Sequence, residues 1–161
     1  MINKLLEKHY YAGGFGVPTI PPNKTIKPSE LSKLPIYAKW QLMPLRDRMG
    51  TLCSIQHTGI LQITLFVDVA IGTDLIDQKA QAIVEHFGTE KSHAINGVQI
   101  LIMSSTANAA MPDGTGRFMM PITIEYRLDR KAVAPPYIMR RLARAIEKLV
   151  NEDLPNALGS I

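Results

Sequence analysis

The sequence is poor in cysteine, in long apolar runs and in any catalytic or metal-binding spacing, and each shortage excludes a class of protein. One cysteine, Cys53, in 161 residues leaves no intramolecular disulfide framework and no CxxC redox or zinc-ribbon site, the usage expected of a chain matured in a reducing cytoplasm. Nowhere do about 18 apolar residues run uninterrupted, and the opening MINKLLEKHYY has too short an apolar stretch for a cleaved signal. A soluble intracellular product with no membrane contact is expected. The histidines, His9, His57, His86 and His93, fall in no HExxH, HxH or Cys-paired spacing, so no metal or other cofactor is expected. His57 lies near Cys53, but no acidic residue close in sequence orients it, and a Cys/His nucleophile is only weakly supported. The glycines of YAGGFG (11–16) precede a proline-rich stretch instead of a helix N-terminus, which phosphate binding would need. Repeats and low-complexity tracts are also lacking.

What is present suits one buried core and a single domain over 1–161: 46% hydrophobic and 20% charged residues, with a mean hydropathy of +0.03. The net charge of +4 and pI of about 9.3 make the surface mildly basic, well short of a polycation built to coat nucleic acid.

Residues 2–9 can form two helical turns. Gly13, Gly14, Gly16, Pro18, Pro21, Pro22 and Pro28 then punctuate an irregular arm over 11–34, long enough to reach a neighbouring chain. Ile36, Ala38, Trp40 and Leu42 alternate with polar or mixed residues up to Pro44. After a charged tip, Leu45 to Gly50, the alternation resumes in Ile55, His57, Gly59, Leu61, Ile63, Leu65, Val67 and Val69, giving a long hairpin. Ile60 and Phe66 interrupt its polar face, so part of that side should also be covered. A helix follows from Thr73 or Asp74 to Phe87, stopped by Gly88, with Ile76, Ala80, Ile83, Val84 and Phe87 on its buried stripe. A strand near Val98 to Met103, a polar loop from Ser104 to Gly116 and a strand from Arg117 to Leu128 complete the sheet, with Pro121 placed at an edge or bulge. Pro135 and Pro136 open a last helix (135–151). Its buried stripe is Ile138, Leu142, Ala145, Ile146 and Leu149, and a basic ridge of Arg140, Arg141, Arg144 and Lys148 lies on another face. The expected fold is α+β: a mixed or antiparallel sheet of about four strands flanked by helices, with the long hairpin and the Gly/Pro-rich N-terminal arm.

The ordered pieces YAKWQLMPL (37–45), GILQITLFVD (59–68), AIVEHF (82–87), GVQILI (97–102) and PDGTGRFMMPITIEYR (112–127) resemble the tail terminator proteins of long-tailed bacteriophages. The resemblance implies a structural virion protein and no enzyme. Such a protein forms a hexameric ring that caps the tail tube, stops its polymerisation and presents a surface to the head completion or connector protein. It implies a place at the head-proximal end of the tail after assembly in the host cytoplasm, with DNA passing through the channel without specific binding. On that reading Arg46, Asp47 and Arg48 of the tip, with Met111 and Asp113 of the polar loop, are expected at the tail tube or adjacent ring. Phe15, Val17 and Ile20 of the arm are expected at the neighbouring subunit. The competing reading is a nucleic-acid-associated protein that uses the basic ridge, although no stacking aromatics or helix-turn-helix signature accompany it.

Overall fold

A computed structural model describes residues 2–22, 24, 26–45, 47–51, 54–95, 98–131, 141, 144, 146 and 147. Its centre is the ladder between β4 (Ser54–Asp68) and β8 (Arg117–Lys131), paired without a register break from Ser54↔Lys131 to Asp68↔Arg117. β2 (Ile36–Pro44) pairs antiparallel with the second half of β4, Ile36 opposite Val67 and Pro44 opposite Gly59. β6 (Val98–Ala107) pairs with the far side of β8, and β5 (Ser92–Ile95) forms the last strand beyond it. At the other margin β1 (Thr19–Ile20) runs parallel to β2. With β3 (Arg48–Thr51) on β4 and β7 (Met111–Pro112) on β8, the described residues form an eight-stranded sheet of order β1-β2-β4-β8-β6-β5. The expected count of about four is thereby corrected. The added strands are two to four residues long, and pairing defines them where composition cannot.

One face of the sheet is sealed. Period-two alternation puts Ile36, Ala38 and Trp40 beside Leu61, Ile63, Leu65 and Val67, and these beside Met120, Ile122, Ile124 and Tyr126, all buried. The amphipathic helix α3 (Asp74–Phe87) lays Ile76, Ala80, Ile83 and Phe87 on them. It ends at Gly88, whose φ of 60° suits glycine and whose N–H donates to the carbonyl of Val84 (2.8 Å). α1 (Ile2–Ala12) joins through Leu5, Leu6 and Tyr10 and runs three residues past its expected end.

Four further differences have local causes. A bulge between Ile102 and Ser104 turns Met103 out to 44% exposure and restores Ser105 to the buried face. The strand therefore continues to Ala107, through residues expected as loop. Pro121 sits in the central strand β8 instead of at an edge. Its carbonyl accepts from the Asn108 N–H (2.9 Å), so its missing donor points to the side where β6 ends, past the last pair Ala107↔Ile122. The arm is partly regular: it holds β1 and a short helix, α2 (Pro28–Leu31). Of the C-terminal helix, Arg141, Arg144, Ile146 and Glu147 are described, as helical and exposed. Ile146, expected on the buried stripe, is 57% exposed.

Candidate assembly interface

The tip and the polar loop, expected together at one partner, lie at opposite ends of the sheet. Arg48 pairs with Gln56 near the start of β4, whereas Pro112 pairs with Phe118, itself opposite Val67 near the end of β4. At about 3.3 Å per residue the two sites are roughly 35 Å apart along the strand.

At the tip end Leu45 (53%) and Ile55 (36%) are exposed, and so is Arg48. Asp47 is engaged within the chain: its carboxylate meets His57 Nδ1 at 2.6 Å. His57 therefore does have an acidic partner, brought by the fold from the tip. Arg46 and Cys53 lie outside the described residues.

At the loop end Asp113 is the organiser. Its carboxylate accepts from the Thr115 hydroxyl (2.6 Å), the Thr115 N–H (2.8 Å) and the Arg117 N–H (3.0 Å). These donors, the Thr115 hydroxyl first, hold its pKa below the ordinary carboxylate value. Gly114 and Gly116 take the left-handed backbone (φ 78° and 85°) that the tight turn requires. Around this turn Met111 (40%), Val69 (46%) and Ile71 (43%) are exposed, and the Val69 N–H reaches the Gly116 carbonyl (3.4 Å).

The arm residues do not extend outward. Phe15 packs against the core beside Tyr10 (centroids 5.2 Å apart) and His86 (5.4 Å), while Val17 and Ile20 are buried. The Lys79 ammonium donates to the Phe15 carbonyl (2.7 Å), tying the arm to α3. The side chains expected at a neighbouring subunit are thus used inside their own chain, because the glycines at 14 and 16 fold the arm back (φ 60° and 66°). Farther along, the Arg117 guanidinium donates to the carbonyls of Leu31 (2.8 Å) and Leu34 (3.0 Å). It also lies over the ring of Tyr37 (5.1 Å), which stacks on Phe66 (4.8 Å). Tyr37 and Phe66 are cross-strand neighbours on the second face of the sheet. Of the basic ridge, Arg141 and Arg144 are exposed, and Arg140 and Lys148 lie outside the described residues.

Reading the histidines singly missed that the fold collects three of them. His9 from α1 stacks on His86 from α3 (4.4 Å) and meets His93 from β5 (4.3 Å). Carbonyls only accept, so His86 Nε2 donates to His9 O (2.9 Å) and His93 Nε2 to Phe87 O (2.7 Å). His9 Nε2 is buried with no hydrogen-bond partner among the described residues. Burial above all, then the charges of His93 and His86, lowers the His9 pKa to about 4. Since the folded pKa lies below the unfolded value, the contribution is complete above about pH 6.5 and is lost as pH falls toward 4. Discounted for partial solvent access, it amounts to roughly 2 kcal/mol. Urea unfolding of the wild type at pH 7.5 and 4.5 should show this loss, and His9→Leu should flatten that part of the profile. An unchanged slope in His9→Leu would refute the assignment. The three rings form no metal-binding group.

A groove of about 580 Å³ lies at the β1–β2 margin and is lined by residues including Ile20, Trp40, Gln62 and Phe66. Among the described residues Lys24 and Lys39 are its charged lining residues. The sheet is thus sealed on one face, with exposed apolar side chains at its tip end (Leu45, Ile55) and its loop end (Val69, Ile71, Met111).

The chain belongs to the phage tail terminator family: the family model described as phage tail terminator protein matches residues 3–126. That family is structural, and it makes this chain a component of the virion tail. One solved chain, bearing no functional description, shares the fold with a TM-score of 0.57 at 18% identity, over 79% of this chain and 89% of that one. No curated protein matches the sequence. Among the described residues no helix is long and apolar enough to cross a membrane.

Proposed function

We propose that this chain caps the phage tail tube as a six-membered ring at the head-proximal end, ends tube polymerisation and receives the head completion protein on its other side. The family match supports the tail role. The observation that carries the two-sided reading is the separation of two exposed apolar ends by the continuous β4–β8 ladder. A protein joining two partners along one axis needs two such ends, whereas a tip and loop both seated on the tube would have to lie side by side. DNA passes through the ring without sequence-specific contact.

The test is separation of function. Leu45→Glu with Arg48→Glu alters one end, and Ile71→Glu with Met111→Glu the other; all four side chains are exposed, so the fold should persist. Each double variant should lose one junction, tube capping or head joining, and keep the other, as seen by electron microscopy of tubes and of mixed heads and tails. Loss of the same junction by both, or of neither, would refute the two-ended arrangement.

A second reading, duplex binding through the helix bearing Arg141 and Arg144, is supported by the exposure of both guanidinium groups. It requires an affinity for duplex DNA that falls steeply with salt in the isolated protein. The capping role requires none.

A further inference from the structure

Among the described residues the sheet is unfinished at both margins, and the two margins fit each other. In a parallel ladder the register Thr19↔Ala38 and Ile20↔Lys39 commits the N–H and C=O of Ala38 and the N–H of Trp40 to β1; the Ala38 N–H reaches Pro18 O at 2.8 Å. β1 stops there because the next residue due to donate, Pro22, has no N–H. Beyond it, along Gln41 to Pro44, β2 has no outer partner among the described residues. The outward groups of that stretch are the C=O of Trp40 and the N–H and C=O of Leu42, because Gln41 and Met43 turn theirs toward β4.

At the far margin β5 pairs, among the described residues, only with β6. The Ile102 N–H bonds to Lys91 O (2.8 Å), which phases the ladder so that Lys91, His93 and Ile95 bond to β6 while Ser92 and Ala94 turn their main-chain groups outward. Both are exposed, small and uncharged, without the lysine, proline or bulge that usually guards an edge strand.

We infer that β5 of one copy fills the vacant half of the β2 edge in the next, as a parallel strand continuing β1. Four residues, Ser92–Ile95, meet a four-residue vacancy. The Leu42 N–H donates to Ser92 O and the Ala94 N–H to Leu42 O, while the C=O of Trp40, beside Pro21 and Pro22 of its own chain, takes no bond from β5. The ladder then ends at Pro44, which has no N–H to give. The donor and acceptor strands lie at opposite ends of the sheet order, so the contact is head-to-tail and propagates from copy to copy, closing into a ring when the rotation allows. This inference rests on the ring reading above and specifies which surfaces close the ring.

Two experiments test it. Ala94→Pro removes an outward N–H and no β5–β6 bond, and should reduce the ring to the 17.9 kDa monomer in sedimentation while circular dichroism stays that of the wild type. Independently, in a Cys53→Ser background, Gln41→Cys with Ser92→Cys places two exposed residues opposite each other across the proposed junction. Oxidation should yield covalent multimers up to the full ring on a denaturing gel, and either single-cysteine variant should not. A wild-type ring retained in Ala94→Pro, or an assembled ring that does not cross-link, overturns the edge pairing and leaves the capping role standing. A wild type that stays monomeric with tail tubes present overturns both.

Discussion

Gly59→Val should cost the fold about 3 kcal/mol or more, and Gly59→Ala about 2, because strand β4 has no room for a Cβ at this rung. A Cβ built on Gly59 would lie 2.5 Å from Cζ of Tyr126, directly opposite on β8, and closer still to its hydroxyl. Tyr126 is 1% exposed and sits opposite Ile102 on its other side, so the ring has nowhere to swing. Valine's better strand propensity, worth at most about 1 kcal/mol, loses to that overlap. The fall in urea midpoint measures the cost. Tyr126→Leu, destabilising alone through the cavity it leaves, should be partly compensated when combined with Gly59→Ala, giving a coupling of about 1 kcal/mol. Wild-type stability in Gly59→Ala, or strict additivity in the double variant, would refute the close approach.

Arg117→Met should unclasp the segment from Pro21 to Leu34 while leaving the sheet folded. Methionine replaces much of the apolar stem over Tyr37 but none of the donors, so the carbonyls of Leu31 and Leu34 each lose the bond from the guanidinium, Leu31 keeping only that from the Leu34 N–H (3.1 Å). At about 1 to 1.5 kcal/mol net for each of the two bonds, the upper part of the ordinary hydrogen-bond range, the segment should open more easily by about 2 to 3 kcal/mol. Trypsin cleavage at Lys24 or Lys33 should then accelerate roughly 30- to 150-fold, since cleavage follows the population of the open form. Arg117→Lys, which cannot span two acceptors with a planar fork, should fall between. Equal cleavage of Arg117→Met and the wild type would show that something else holds the segment.

The long elements were legible because each satisfies one periodicity over many residues. Alternation from Ile36 to Leu42 and from Ile55 to Val67 marked β2 and β4, and the stripe from Ile76 to Phe87 with its terminal Gly88 marked α3. The same reading failed where a single residue resets the phase, as at the Met103 bulge, and where pairing alone makes the strand, as in β1, β5 and β7. Pro121 was misplaced because its lack of a donor identifies a direction within the ladder and does not identify an edge. The site was less legible than the fold. Nothing in local sequence shows that Asp47 meets His57, that His9, His86 and His93 share one cluster, or that Arg117 reaches back to Leu31. These contacts join residues distant in sequence. Met111 and Asp113 were named through the family resemblance, which carries no information about which end of the sheet they occupy.

The unbroken β4–β8 ladder has a mechanical consequence. β4 begins at the tip end, and its antiparallel partner β8 begins at the loop end. A pull that enters at the start of one strand and leaves at the start of the other therefore runs along the ladder in opposite directions on the two strands. The hydrogen bonds lie across that direction, so the load is shared by all the rungs at once as shear, and none can be unzipped before its neighbours. A joint built this way resists tension along its length far better than peeling from its side.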